Sequence, residues 1–194
     1  MGVLPGGGPV MHILVVCTAN RARSPVAALI LAAAASERGA AHVLVHSAGV
    51  DAEPGLDLLP SMRKVLLRRG MKVPEHRARR LDVREALGSQ LVITMTEEQR
   101  RAVARAGPGL VPRCYTLLEL VRLVRSPHWC EEWNGRPQVV ERLHRTRALA
   151  APPDRPEDVP DPSQGGTRLA RSVLDRIDRA VQSVADPLFG TTGR

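Results

Sequence analysis

Cys17 and Arg23 are separated by five residues, with Ser24 directly behind, in the stretch Val16-Cys-Thr-Ala-Asn-Arg-Ala-Arg-Ser-Pro25. The apolar run His12–Val16 leads into it and the alanine-rich run Val26–Ser36 leads out. A buried strand, a tight loop and a helix N-terminus make an anion site, because loop amides point inward and the helix dipole favours negative charge. A cysteine at the first loop position has its thiolate stabilised by the same field. An arginine at the end of the loop can hold two phosphate oxygens above the sulfur with its planar fork. A neighbouring serine hydroxyl can donate to the sulfur when it leaves. Cys17, Arg23 and Ser24 thus supply a nucleophile, a clamp and a leaving-group stabiliser for phosphoryl transfer through phosphocysteine.

The bare spacing occurs twice. Cys130 to Arg136 also fits, but Ser-Pro-His-Trp precedes it in place of a strand. Glu131 and Glu132 would repel a phosphate, and Pro137 stands where the first copy has Ser24. Cys130 therefore reads as a surface or packing residue, and Cys114, inside an apolar run, as core. Cleaving a phosphate ester also needs a proton donor for the leaving oxygen. Asp161, between Pro160 and Pro162 on a stiff loop, is the candidate general acid. Asp154, Asp158 and Asp186 compete with it, Asp186 reading as a helix-exit turn.

Strand–helix alternation supplies the elements that must position these groups. Strands are expected at His12–Val16, Val43–His46, Gln90–Met95 and Arg113–Thr116. Helices are expected at about residues 24–38, 58–69, 97–106, 117–124, 138–149 and 167–184. Thr96 reads as the cap of the third, and Leu169, Val173, Leu174, Ile177, Val181 and Val184 line one face of the last. The pattern predicts an α/β three-layer sandwich, a four-stranded parallel sheet with helices on both faces. Residues 1–10 read as a flexible leader, 11–186 as one domain carrying an irregular insertion at about 126–158, and 187–194 as a tail.

With 194 residues, 43% apolar and 25% charged, the chain suits one good core. Three cysteines make no disulfide framework and point to a reduced, cytoplasmic setting. No apolar run approaches the roughly 20 residues that span a bilayer, so no membrane partner is expected. The net charge of +8 is nearly all arginine, Lys64 and Lys72 being the only lysines. Such a surface draws anionic substrates. With four aromatics in all, base-stacking platforms are lacking and nucleic acid is not the expected partner. No oligomeric state follows from these residues.

Together, the Val16–Pro25 stretch, Ser47-Ala48-Gly49, His76-Arg-Ala-Arg-Arg-Leu81, Leu91-Val-Ile-Thr-Met95 and Asp161-Pro162 resemble the low-molecular-weight protein tyrosine phosphatases. The motifs run in that family's order over about residues 11–184. The resemblance implies a two-step mechanism without metal or other cofactor and a phosphorylated protein as substrate. It assigns phosphate binding to the loop Thr18, Ala19, Asn20, Arg21, Ala22 and Arg23. It also implies a hydrogen-bond network of Asn20, Ser24, Ser47 and His76 beneath that loop. Asn20 independently suits a left-handed position.

Four departures from the family pattern stand out. Ala19 replaces a usual glycine and needs a negative φ there. Ala22 replaces a usual second cysteine, so oxidised Cys17 lacks an adjacent thiol to rescue it. Arg21 puts a cation at the substrate mouth. Ser163-Gln-Gly-Gly166 follows Asp161-Pro162 in place of aromatics that pack on phosphotyrosine; the 117–124 and 129–133 segments are candidate substitutes. Phosphotyrosine is the default substrate, with phosphoarginine as an alternative that Arg21 would repel. An arsenate reductase on this scaffold needs a cysteine relay after the third strand, where Thr94-Met-Thr-Glu97 stands. A non-catalytic binder of anions or phosphoproteins is the third reading.

Overall fold

The computed structural model describes residues 10–129 and 139–190. The Cys130–Arg136 spacing and Trp133 lie outside the described residues. Strand β1 spans Met11–Cys17, and its run of buried branched residues sits inside the sheet, flanked on both sides. Strands β2 (Val43–Gly49), β3 (Leu91–Thr94) and β4 (Cys114–Thr116) complete a sheet of order β2-β1-β3-β4. All pairings are parallel, and Cys17 lies opposite Gly49. The four-stranded parallel sheet is the one the alternation predicts.

Side chains of β1 alternate between two cores, as strand geometry requires. Ile13, Val15 and Cys17 join the larger cluster with α1 (Arg23–Glu37), α2 (Pro60–Arg68), α5 (Leu117–Val124), α6 (Val139–Leu149) and α7 (Gly166–Phe189). Leu14 and Val16 join a smaller cluster with Ala86 of α3 (Val83–Gly88) and Val103 of α4 (Glu97–Ala106). Helices therefore cover both faces.

Two α-helices differ from expectation, and a 3-10 turn at Pro108–Arg113 takes Arg113 out of the expected fourth strand. Helix α3 was not anticipated; Asp82 caps it by accepting from the Arg84 amide, and Glu85 sits in its first turn. Helix α7 continues past residue 184 through Asp186 and Pro187 to Phe189, so Asp186 is helical and not an exit turn. Pro187 costs one backbone donor. Leu188 and Phe189 offset that cost by extending the apolar stripe into the core, where they are 9% and 5% exposed. Asp186 also accepts from Arg38 Nε at 2.7 Å, pinning the last turn to the end of α1.

Candidate active site

The four parallel strands end on one edge, and the loop after β1 is moulded onto that edge. Cys17 closes β1, 2% exposed, and Thr18 to Ala22 turn the chain into α1. Asn20 takes the turn with φ 53°, the only positive φ of a non-glycine among the described residues. Asparagine tolerates that region at low cost. Ala19 therefore sits at negative φ, and its methyl fits without strain. Ala22 occupies the helix N-cap and offers no side-chain acceptor. Of the first-turn residues of α1, Arg23 and Ser24 carry backbone N–H groups of the kind that suit an anion, while Pro25 has none.

The Asn20 side chain ties the loop from beneath. Its Nδ2 donates to Ser24 Oγ at 3.0 Å and to Ser47 Oγ at 2.9 Å, and its Oδ1 accepts from the Arg79 amide at 3.0 Å. His76 Nε2 lies 2.6 Å from the Asn20 carbonyl and must carry the proton in that bond. Ser24 Oγ in turn lies 3.0 Å from Cys17 Sγ and 3.2 Å from the Ala48 carbonyl. The structure thus brings Asn20, Ser24, Ser47 and His76 together under the loop.

Gly49 has a role that spacing could not reveal. A methyl on its Cα would sit 2.4 Å from the Thr18 carbonyl oxygen and 2.9 Å from the Asn20 nitrogen. Only glycine lets β2 pass this close under the loop. The backbone bonds just beyond it, Val50 N to Cys17 O and Asp51 N to Thr18 O, clamp the loop at 2.9 and 3.0 Å.

Arg23 is 5% exposed and reaches across 138 residues of sequence to Asp161. One terminal nitrogen meets Asp161 Oδ2 at 2.5 Å and the other donates to the Val159 carbonyl at 3.2 Å. Asp161 Oδ1 accepts from the Ser163 amide at 2.9 Å, which fixes the carboxylate in a turn. Among the rival acids, Asp154 is exposed, Asp158 accepts from the Glu97 amide at 2.8 Å, and Asp186 is engaged in α7. Asp161 alone of the four meets Arg23.

Arg21 is turned sideways. Its Nε donates to the Asp57 carbonyl at 2.9 Å, and its own carbonyl accepts from the Leu59 amide at 2.7 Å. Asp57 also pairs with Arg63 at 2.7 Å, and that hydrogen bond first of all holds its carboxyl below the usual range. Trp129 does not stand free as a wall: Arg142 lies 4.0 Å over its ring, and the ring packs on the larger core. Cys114 is 1% exposed, and burial pushes its thiol up to about 12. It is core, as the apolar run predicts.

The model of the low molecular weight phosphotyrosine protein phosphatases matches residues 12–129. The chain belongs to this family. A probable low molecular weight protein-tyrosine-phosphatase, EpsP of Ralstonia solanacearum, is 32% identical over 108 residues, 56% of this chain and 71% of that one. Solved structures extend the likeness in fold beyond residue 129. The YwlE arginine phosphatase of Geobacillus stearothermophilus superposes with a TM-score of 0.67 at 24% identity, covering 92% of each chain. The low molecular weight protein tyrosine phosphatase of T. tengcongensis gives 0.67 at 23%, covering 90% of this chain and 97% of that one. This family member is a phosphatase.

Proposed function

We propose that the chain hydrolyses phosphotyrosine on cytoplasmic proteins through a phosphocysteine at Cys17. One observation supports this above the rest: a serine hydroxyl 3.0 Å from a loop cysteine, in a loop whose buried arginine meets Asp161. Phosphate arriving on the loop competes with Asp161 for Arg23. Cys17 Sγ then attacks phosphorus as the bond to the ester oxygen breaks, and Asp161 gives that oxygen its proton. In the second step Asp161, now a carboxylate, takes a proton from water while the water oxygen attacks phosphorus. The P–S bond breaks, its electron pair returns to sulfur, and the Ser24 hydroxyl stabilises the thiolate. Arg23 and the loop amides hold the phosphoryl oxygens through both steps.

The test is phosphate release from para-nitrophenyl phosphate over about pH 5 to 8, with reductant, where general acid catalysis shows itself. Cys17→Ser is expected to abolish turnover and Asp161→Ala to lower kcat by about 100-fold. Absence of turnover in the reduced wild type would favour the anion-binding reading. Phosphoarginine is the rival substrate, because no aromatic follows Pro162 before α7. Arg21 opposes it by placing a guanidinium beside the loop. Rates on matched phosphotyrosine and phosphoarginine peptides separate the two. Arsenate reduction by relay is disfavoured, since Cys114 is buried and held as a thiol.

A further inference from the structure

The turn between β3 and α4 touches both halves of the site. On one side, Gln99 Nε2 donates to Thr18 Oγ1 in the phosphate loop at 3.0 Å. On the other, the Glu97 amide donates to Asp158 Oδ1 at 2.8 Å, and the Val159 amide donates to the Met95 carbonyl at 2.8 Å. Val159 is fully buried and is followed by Pro160 and then Asp161. Glu157, beside it, pairs with Arg122 of α5 at 2.8 Å. The acid loop is thereby fastened just before its carboxylate.

Gln99 is 4% exposed, and every polar atom of its side chain is committed. Its Oε1 accepts from the Met95 and Thr96 amides at 3.0 and 3.1 Å, closing a capping box with Thr96. Glutamate serves that box equally well. Glutamate lacks the N–H that Thr18 accepts, and only an amide tip combines both functions. Because Thr18 Oγ1 receives this donor, its own hydrogen is directed elsewhere, and Thr18 is exposed on the loop.

We propose that the Met95–Gln99 turn holds the acid loop in register with the phosphate loop, with Asp158 and Gln99 as positioning residues. Asp158 acts through Asp161, and Gln99 acts through Thr18. The proposal rests on the reading of Cys17 as nucleophile and Asp161 as acid.

Leaving groups distinguish positioning from general destabilisation. Without an aligned acid, esters of basic phenols slow far more than esters of acidic ones. Asp158→Ala is expected to lower kcat/KM, which reports the ester-cleaving step alone, on phenyl phosphate by about 10-fold to 100-fold and on dinitrophenyl phosphate by less than about threefold. Asp158→Asn keeps the acceptor for the Glu97 amide and should restore most of the loss. Gln99→Glu retains the cap and should keep the melting temperature, yet raise KM and the inhibition constant for inorganic phosphate by about tenfold with an unchanged leaving-group dependence. Equal loss on both esters in Asp158→Ala, or a kinetically silent Gln99→Glu, would overturn the proposal. Asp161→Ala is the control: if it shows no leaving-group dependence, the assignment of the acid fails, not the register.

Discussion

The Arg23–Asp161 pair is a competitor built into the site. Asp161 is about half exposed while Arg23 is almost wholly covered, so the pair is modest in strength and the carboxylate is the partner free to leave. A bound phosphate must replace it and then tolerate a carboxylate nearby. Asp161→Ala is therefore expected to bind inorganic phosphate or vanadate about threefold to fivefold more tightly than wild type, even as turnover falls. Competition against a fluorescent phosphate analogue measures this, and weaker binding would show that the pair does not oppose the ligand. Cys114 offers a second test at this scale. Its folded thiol is pushed up to about 12 by burial, above the ordinary value. The unfolded chain therefore ionises first, holds fewer protons, and gains stability as pH rises through about 9. Burial raises the neighbouring Tyr115 to about 12 as well. Folding stability should fall by roughly 1 kcal/mol or more between about pH 8 and 10, and Cys114→Val should flatten the slope. Denaturant midpoints across that range report it. The chemistry of Cys17, Arg23 and Ser24 was legible in the sequence because it lies within one loop, where spacing is geometry. Gln99 and Asp158 were not, since each acquires its partner only when distant turns meet.

At the scale of elements, the phosphate loop is held by the strand beside it as much as by its own residues. The carbonyl of Thr18 rests where a Gly49 side chain would be. Gly49→Ala must push backbone against backbone, which neither partner can absorb by changing rotamer. We expect it to cost about 1–3 kcal/mol and to impair phosphate binding more than Ala48→Gly does. Thermal melts with and without saturating phosphate separate the two effects, since a distorted loop also loses the ligand-induced shift. A fully retained shift would mean that the strand moved and the loop did not. Strands and long helices were readable from periodicity, because each buries an apolar stripe. Helix α3 escaped because only Ala86 of its residues is buried, leaving a cap and no stripe. The end of α7 was misjudged for the opposite reason. Pro187 is a strong local stop signal, and two buried residues beyond it, Leu188 and Phe189, override that signal.

For the whole molecule, a parallel sheet with β1 inside it puts the nucleophile on the best-protected strand. Every neighbour of β1 must separate before its amides meet water. The acid loop has no ladder of its own; its fastenings include the Glu97–Asp158, Val159–Met95 and Arg122–Glu157 contacts and the reach of Arg23 to Val159 and Asp161. The two halves of the site therefore belong to units of unequal stability. Hydrogen exchange should show β1 amides opening only with global unfolding, and amides of residues 157–165 opening far earlier. Equal protection would mean that the site opens as one piece. The consequence is an order of failure. A gently warmed molecule loses its proton donor first, and for a time becomes a protein that still holds phosphate at Arg23 and the loop amides while both chemical steps run slowly. In that interval it behaves as a phosphate binder instead of a catalyst.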